Sequence, residues 1–116
     1  MWVLMIFSKK KPIPQPEGMI SVLFTIWERE NDRYIAADDL AGYDEPIAEQ
    51  ALIHIAQRLD EPEDILEMCG TSLGDIWRRK GVFDADIAAT LTPAARRGLA
   101  EELQEDFPAE IGKLNL

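Results

Sequence analysis

The spacing of hydrophobic residues changes along the chain, and the first part has the pattern of β-strands. Residues 19–27, MISVLFTIW, are rich in β-branched and aromatic side chains, and alternate positions would form the two faces of a strand. The polar residues 28–32 end in Asn31-Asp32, a pair that tolerates the backbone angles of a tight turn. Residues 33–37 are expected to return as a second strand. The pattern predicts an N-terminal β-hairpin with a charged tip.

From Pro46 onward the hydrophobic spacing becomes helical. A buried helix face is predicted at Ile47, Ala51, Leu52, Ile55 and Leu59. Proline and glycine residues then divide the chain into short helices. Pro62 is expected to open a helix that Gly70 closes, and Gly81 is expected to end the next one.

Polar residues mark the expected helix starts in this second half. Ser72 and Asp75 resemble a capping pair, Asp84 is a candidate cap, and Thr92 stands directly before Pro93. The predicted order is two strands, or three with the N-terminal arm, followed by four or five short helices. Because the strands and helices are segregated rather than alternating, the pattern predicts an α+β fold.

The length of 116 residues fits one compact domain. Residues 2–7 are apolar, and residues 9–18, KKKPIPQPEG, contain three alternating prolines that favour an extended connector. We therefore divide the chain into an apolar N-terminal arm and linker, residues 1–18, and a single α+β domain, residues 19–116. The arm is expected to supply a third strand; alternatively, a second copy of the chain completes the sheet edge in a homodimer.

The apolar run of residues 2–7 does not indicate a membrane protein. It precedes its lysines, which is the reverse of a signal peptide, and it is far shorter than the ~20 residues of a transmembrane helix. The single cysteine, Cys69, can form no internal disulfide, which suits a reducing compartment. We expect a cytoplasmic location and no membrane contact.

The charge balance favours a basic partner. The chain has 22 acidic and 12 basic residues, a formal net charge of -10. A surface of this sign repels phosphate backbones and speeds the encounter with a basic protein. Simple solubility is the alternative explanation for this charge.

The acids around Asp38, Asp39, Asp44 and Glu45 have three possible roles. They could stabilise a loop and the start of the helix at Pro46, they could contact a partner, or they could bind a metal. The calcium-loop pattern D-x-D-x-D-G with a distal glutamate is absent from the sequence. We therefore expect no metal site here.

Catalytic motifs are absent from the sequence. There is no glycine-rich phosphate loop, no G-x-S-x-G and no H-E-x-x-H. The lone cysteine, Cys69, and the lone histidine, His54, both lie in apolar helical patterns and are interpreted as packed side chains. We expect a non-enzymatic protein without a cofactor.

Two basic patterns were considered as nucleic-acid contacts. The run Arg78-Arg79-Lys80 lies at a predicted helix end, where the helix dipole already favours cations. A helix-turn-helix could be drawn through residues 86–97, but the acids that follow would meet the phosphates. Direct binding of nucleic acid is not expected.

Three short segments resemble the order found in HicB-type antitoxins. They are Tyr34-Ile-Ala36, Asp39-Leu40-Ala-Gly42 and Glu49-Gln-Ala51. The resemblance covers about thirty residues and implies a strand hairpin followed by a helix, in a protein that neutralises a toxin. The sequence departs from that pattern at Ala41, where proline is usual, and in its shorter spacings.

Together these features predict a small, non-catalytic binding protein that caps or sequesters a basic partner, itself a nucleic-acid-handling protein or complex. Inhibitors, immunity proteins and antitoxins are the relevant class. The predicted contacts are an aromatic anchor, Trp27, and one of two acidic groups. These groups are the expected hairpin exit, Asp38, Asp39, Asp44 and Glu45, or the C-terminal acids, Glu101, Glu102, Glu105 and Asp106. The alternatives are an accessory subunit held by the apolar arm, and a transcription regulator using the helix-turn-helix.

Overall fold

All regular secondary structure in residues 14–116, the part of the chain that this computed structural model describes, is helical. The helices are α1 (Glu17–Phe24), α2 (Glu30–Asp39), α3 (Pro46–Ala56), α4 (Glu63–Lys80), α5 (Ala85–Thr90), α6 (Pro93–Leu103) and α7 (Pro108–Gly112), with a 3-10 turn at Leu40–Gly42 between α2 and α3. No β-strand occurs in this range. The predictions for the apolar arm at residues 2–7 and for the lysines that follow lie outside the described residues.

The first predicted strand is wrong, because most of it forms α1. Met19, Val22 and Leu23, spaced i, i+3 and i+4, contact the core, and Leu23 is fully buried. The strand preference of β-branched residues is worth less than about 1 kcal/mol per residue. Burial of one helical face outweighs that preference.

The second predicted strand lies in α2. Arg33, Ala36, Ala37 and Leu40 are buried at the i, i+3, i+4, i+7 spacing of a helix face. The predicted turn residue Asp32 lies in the first turn of α2, where it accepts a hydrogen bond of 2.9 Å from Nε of Arg29. An acid at this position also interacts favourably with the helix dipole.

The α+β class is therefore corrected to an all-helical fold over residues 14–116. In this range there is no sheet edge for a homodimer to share. The hairpin implied by the resemblance to HicB-type antitoxins is also absent, because Tyr34 and Ala36 both lie in α2.

The two short helices predicted between Pro62 and Gly81 are one continuous helix, α4. Gly70 does not end a helix, and Ser72 does not cap one. The Ser72 hydroxyl instead donates to the carbonyl oxygen of Ala37 at 2.7 Å, which joins α4 to α2. Gly81 does end α4, with a left-handed φ of 68° that favours glycine.

The glycines inside α4 and α6 allow these two helices to cross with their backbones in contact. A β-carbon at Gly70 would lie less than 3.0 Å from the carbonyl oxygen of Ala95. A β-carbon at Gly98 would come equally close to the carbonyl oxygen of Glu67. The crossing therefore requires residues without side chains, as in other close helix pairs.

Three predicted helix starts are confirmed. Pro46 occupies the first turn of α3, and the Asp84 carboxylate accepts from the backbone N–H of Ile87 at 3.0 Å to cap α5. The hydroxyl of Thr92 accepts from the N–H of Ala95 and donates to the carbonyl oxygen of Ala56. Thr92 thus caps α6 and attaches its start to the end of α3.

A buried ion pair joins α1, α2 and the loop before α4. Nη2 of Arg33 lies 2.6 Å from Oε2 of Glu61, and each side chain is only 4% exposed. Nε of Arg33 also donates to the carbonyl oxygen of Leu23, at 2.8 Å, which satisfies an acceptor near the end of α1. One guanidinium therefore fixes two loops at the same end of the molecule.

Among residues 14–116, no helix has the length and apolar character that crossing a membrane requires.

Candidate functional site

The C-terminal end of α4 gathers acids from three other parts of the chain. Nη2 of Arg79 lies 3.1 Å from Oδ1 of Asp44, in the turn before α3. Nζ of Lys80 lies 3.3 Å from Oε1 of Glu49 in α3, and Nη1 of Arg78 lies 2.5 Å from Oε1 of Glu102 in α6. All three side chains of the basic run therefore form ion pairs within the protein. They do not form a patch of unpaired cations that would suit a phosphate backbone.

Arg78 is held between two carboxylates. Besides Glu102, it contacts Asp75 at 2.5 Å. The pKa of Arg78 is raised, mainly by the negative charge of Glu102 and further by Asp75, although desolvation opposes this shift. Arg78 stays charged, and its ion pairs hold the end of α6 against the end of α4.

These ion pairs bring the two predicted acidic groups to one end of the molecule, which we call the acidic end. Its acids are Asp38, Asp39, Asp44, Glu45, Glu49, Asp75, Asp84, Asp86, Glu101, Glu102, Glu105 and Asp106. Within residues 14–116 the acidic end thus holds twelve of the 22 acids and, in residues 78–80, three of the nine bases. Most of the net negative charge lies there.

The predicted contact residues differ in how available they are. Asp44 and Glu102 are already in ion pairs with α4. The other six predicted acids are exposed and make no ion pair among the described residues: Asp38, Asp39, Glu45, Glu101, Glu105 and Asp106. These six are the carboxylates that a basic partner would meet unneutralised.

A groove of about 400 Å³ opens within the acidic end, and the sequence analysis missed it. Its floor is apolar and is formed by Trp77, Val82, Phe83 and Ile87, while Glu49, Lys80, Asp84 and Asp86 stand at its rim. An apolar floor with an acidic rim fits an apolar side chain that is flanked by cations.

The local sequence explains how the groove is built. Gly81 turns the chain, and the N–H of Val82 donates to the carbonyl oxygen of Trp77 at 3.1 Å, which closes the end of α4. Phe83 then packs with its edge against Trp77, at a centroid distance of 5.6 Å, before Asp84 caps α5. The signal in the sequence was an apolar pair, Val82-Phe83, between a helix stop and a helix cap.

A smaller groove of about 290 Å³ lies between α1 and α2. Met19, Val22 and Ile35 line it, and the predicted contact residue Asp39 stands at its edge with Asp32. Through Asp39, this groove adjoins the acidic end and continues from it along α2.

Trp27 is not part of the acidic end. It is 84% exposed in the loop between α1 and α2, four residues after Leu23, whose carbonyl oxygen accepts a hydrogen bond from Arg33. Glu30, three residues on, lies beside Asp64 at the start of α4, and hydrogen bonding between these carboxyls raises the pKa of Glu30. Since α4 has 18 residues, about 27 Å of helix separates Trp27 from the acidic end. The predicted anchor, Trp27, and the predicted acids therefore lie at opposite ends of α4 and cannot form one contact site.

The two side chains considered for nucleophilic catalysis are not arranged for it. Burial, with a smaller contribution from the charge of Glu61, raises the pKa of the Cys69 thiol to about 12. The thiolate is the reactive form, so Cys69 is a packing residue at neutral pH. The His54 ring stacks on Phe24 at a centroid distance of 5.4 Å. No cluster of three or more His, Cys, Asp or Glu side chains with metal-binding geometry occurs among residues 14–116.

We expect Cys69 to react with a disulfide reagent such as DTNB roughly a thousand-fold more slowly in the folded protein than in urea-unfolded protein, because folding buries the thiol and raises its pKa to about 12. The release of thionitrobenzoate at pH 8 measures both rates, and Cys69→Ser supplies the blank. Rates within ten-fold of each other would contradict the burial of Cys69.

Comparison of the chain with protein-family models, curated proteins and solved structures gave no match.

Proposed function

We propose that the protein is a non-catalytic binding module whose acidic end caps or sequesters a basic partner. The observation that carries the proposal is the acidic end itself, in which the three local cations are paired and six exposed carboxylates have no ion-pair partner among the described residues. Such a surface attracts a basic protein over a Debye length and selects against acidic ones.

The groove adds what charge alone does not supply. Electrostatic attraction mainly sets the rate of association and the selectivity, whereas affinity comes from apolar side chains buried at the centre of a contact. The groove floor, which includes the half-exposed Val82 and the edge of Phe83, offers such a centre inside an acidic rim. We place the partner's anchor residue there rather than at Trp27.

A basic surface is typical of proteins that handle nucleic acid, since they must meet phosphates. An acidic module that covers such a surface would compete with the nucleic acid. This is the inhibitor, immunity or antitoxin type of action, in the reducing cytoplasm that the single buried cysteine, Cys69, suits. The proposed partner is therefore a basic protein that handles nucleic acid.

The two alternative functions differ in what supports them. The accessory-subunit hypothesis depends on residues 2–7, which lie outside the described residues. For the helix-turn-helix hypothesis, α6 would have to enter a DNA groove. Its small residues are instead packed against α4, and Arg97 is ion-paired with Glu63.

The test begins with affinity capture from host lysate after nuclease treatment, followed by kinetics with the purified partner. Neutralising three unpaired acids together, Asp38→Asn, Asp39→Asn and Glu45→Gln, is expected to slow association about ten-fold at low salt and to flatten its salt dependence. The fold should be retained, because none of the three makes an ion pair among the described residues.

The matched control neutralises three exposed acids at the opposite end of α4, Glu28→Gln, Glu30→Gln and Asp64→Asn, with the same change in net charge. We expect this variant to associate at close to the wild-type rate. Equal losses in both variants would show that only net charge matters, and no loss in either would show that the acidic end is not the contact.

A further inference from the structure

The groove at the acidic end draws most of its lining from one short stretch of chain, between the end of α4 and the first turn of α5. Val82, Phe83 and Ile87 form the accessible part of its apolar floor, and Asp84 and Asp86 stand beside them at the rim. Apolar surface and carboxylates therefore lie within a few residues of each other. A ligand that meets both must carry its own apolar and cationic groups equally close together.

The charges that line this groove are not balanced. Four charged residues line it, and three of them are acids. The one base among them, Lys80, is paired with Glu49, with 3.3 Å between Nζ and Oε1. Asp84 and Asp86 are exposed, and neither makes an ion pair within residues 14–116. The unneutralised charge therefore lies where α5 begins.

The surface next to the groove has the same sign. Phe107 packs against Phe83 with 5.7 Å between the ring centroids, and the exposed Asp106 directly precedes it in the chain. Lys113, six residues beyond Phe107, does not line the groove. The other cations of this end, in residues 78–80, are all ion-paired. The groove therefore favours a cationic ligand over a neutral or an anionic one.

The size of the groove limits how much of a ligand it can hold. Its volume of about 400 Å³ lies at the low end of the range for pockets that enclose a small molecule. It accepts one large side chain and the backbone around it, not a broad protein surface. One apolar anchor with cations beside it in sequence is the composition of a short linear segment.

We propose that the groove binds a short linear segment of the basic partner, in which one large apolar residue has lysine or arginine within two positions of it. This inference rests on the proposed function, since it names the part of the partner that the acidic end recognises. The apolar side chain packs on Val82 and Phe83, and the neighbouring cation meets Asp86. The stem of a lysine or arginine adds apolar contact while its charged group stays at the rim.

The test is the fluorescence anisotropy of labelled seven-residue peptides titrated with the full chain. The probe peptide has one leucine between two pairs of lysines. A second peptide has serine in place of the leucine, and a third has glutamines in place of the lysines. We expect the probe to bind with a dissociation constant on the order of 100 μM and each of the others at least ten-fold more weakly. Equal binding of the serine peptide would show attraction by charge alone and would overturn the inference.

A double variant of the groove, Val82→Ser/Asp86→Asn, is expected to weaken binding of the probe peptide at least ten-fold. Both side chains are exposed, Val82 by 46%, so the variant should keep the wild-type circular dichroism and urea midpoint. The matched control, Trp27→Ser/Glu28→Gln, removes an exposed apolar side chain and an exposed carboxylate at the other end of α4. It should bind the probe like the wild type. Equal losses in the two variants would overturn the assignment to the groove.

The outcomes also separate this inference from the proposed function. Suppose that the probe and serine peptides bind equally while neutralising Asp38, Asp39 and Glu45 still slows association of the whole partner. The acidic end is then the contact, and only the linear segment in the groove is wrong. If the probe binds in the groove but the triple neutralisation leaves association unchanged, the segment is supported and the capping of the partner by the acidic end is wrong.

Discussion

Gly98→Ala is expected to lower the free energy of unfolding by about 3 kcal/mol or more, although it adds only one methyl group. That methyl group would lie less than 3.0 Å from the carbonyl oxygen of Glu67 and would also meet Thr71. A backbone oxygen cannot rotate away as a long side chain can, so α4 and α6 must move apart and lose packing along their whole contact. The greater helix propensity of alanine, about 1 kcal/mol, opposes this loss only in part.

Urea unfolding of a glycine series measures the effect. Gly70→Ala should cost about as much as Gly98→Ala, because its methyl group would meet the backbone of Ala95. Gly74→Ala should cost less, since its closest contact, the Cβ of Glu102 at 2.8 Å, is longer than the backbone contacts at Gly70 and Gly98. Gly112→Ala is the matched control, because nothing lies within 4 Å of that position, and its expected effect is within about 1 kcal/mol of zero. A flat series would contradict the close crossing.

The same glycines show why the sequence analysis succeeded at helix ends and failed inside α4. A glycine after a basic turn is a strong stop signal, and Gly81 acts as one, with φ at 68°. Gly70 has the same identity, but its role is set by Ala95, a residue 25 positions away that local patterns do not contain. The two roles can be separated only when the partner helix is known.

The wrong hairpin has a similar cause. Residues 19–27 carry strand-forming side chains, and their alternation matched a strand. A helical signal was nevertheless present in α2, where Arg33, Ala36, Ala37 and Leu40 repeat at helix spacing. Alanine is a weak hydrophobic signal, and a fully buried arginine is not expected at all, so this face was not recognised.

The candidate site was predictable in its charge but not in its assembly. The acids form two groups along the sequence, and the ion pairs of Arg78 and Arg79 bring Glu102 and Asp44, one from each group, to one end of the molecule. The prediction of Trp27 as an anchor depends on its place at the end of a hairpin, and residues 14–116 contain no hairpin. Whether Trp27 and the two acidic groups lie close together depends on the distances between helices. Those distances are set by contacts between residues far apart in sequence.

The buried ion pair of Arg33 and Glu61 carries the second large expected effect. Glu61→Leu should lower the free energy of unfolding by about 3–5 kcal/mol, because it leaves a guanidinium that is 4% exposed without its carboxylate. Arg33→Met should also destabilise. The carbonyl oxygen of Leu23 then loses its donor, and Glu61 keeps only Arg58, whose Nη1 is 4.0 Å away.

The double variant Arg33→Met/Glu61→Leu separates the penalty of an unpaired charge from the loss of packing. With both charges removed, no buried charge is left uncompensated, so the double variant should lose at least about 2 kcal/mol less than the sum of the single losses. Glu63→Leu is the matched control, because Glu63 pairs with Arg97 at the surface, where the pair is worth at most about 1 kcal/mol. Urea unfolding of the two single variants, the double variant and the control measures the four losses in free energy of unfolding. Additive losses would mean that Arg33 and Glu61 are not coupled, and the attachment of the end of α1 to the loop before α4 would then need another explanation.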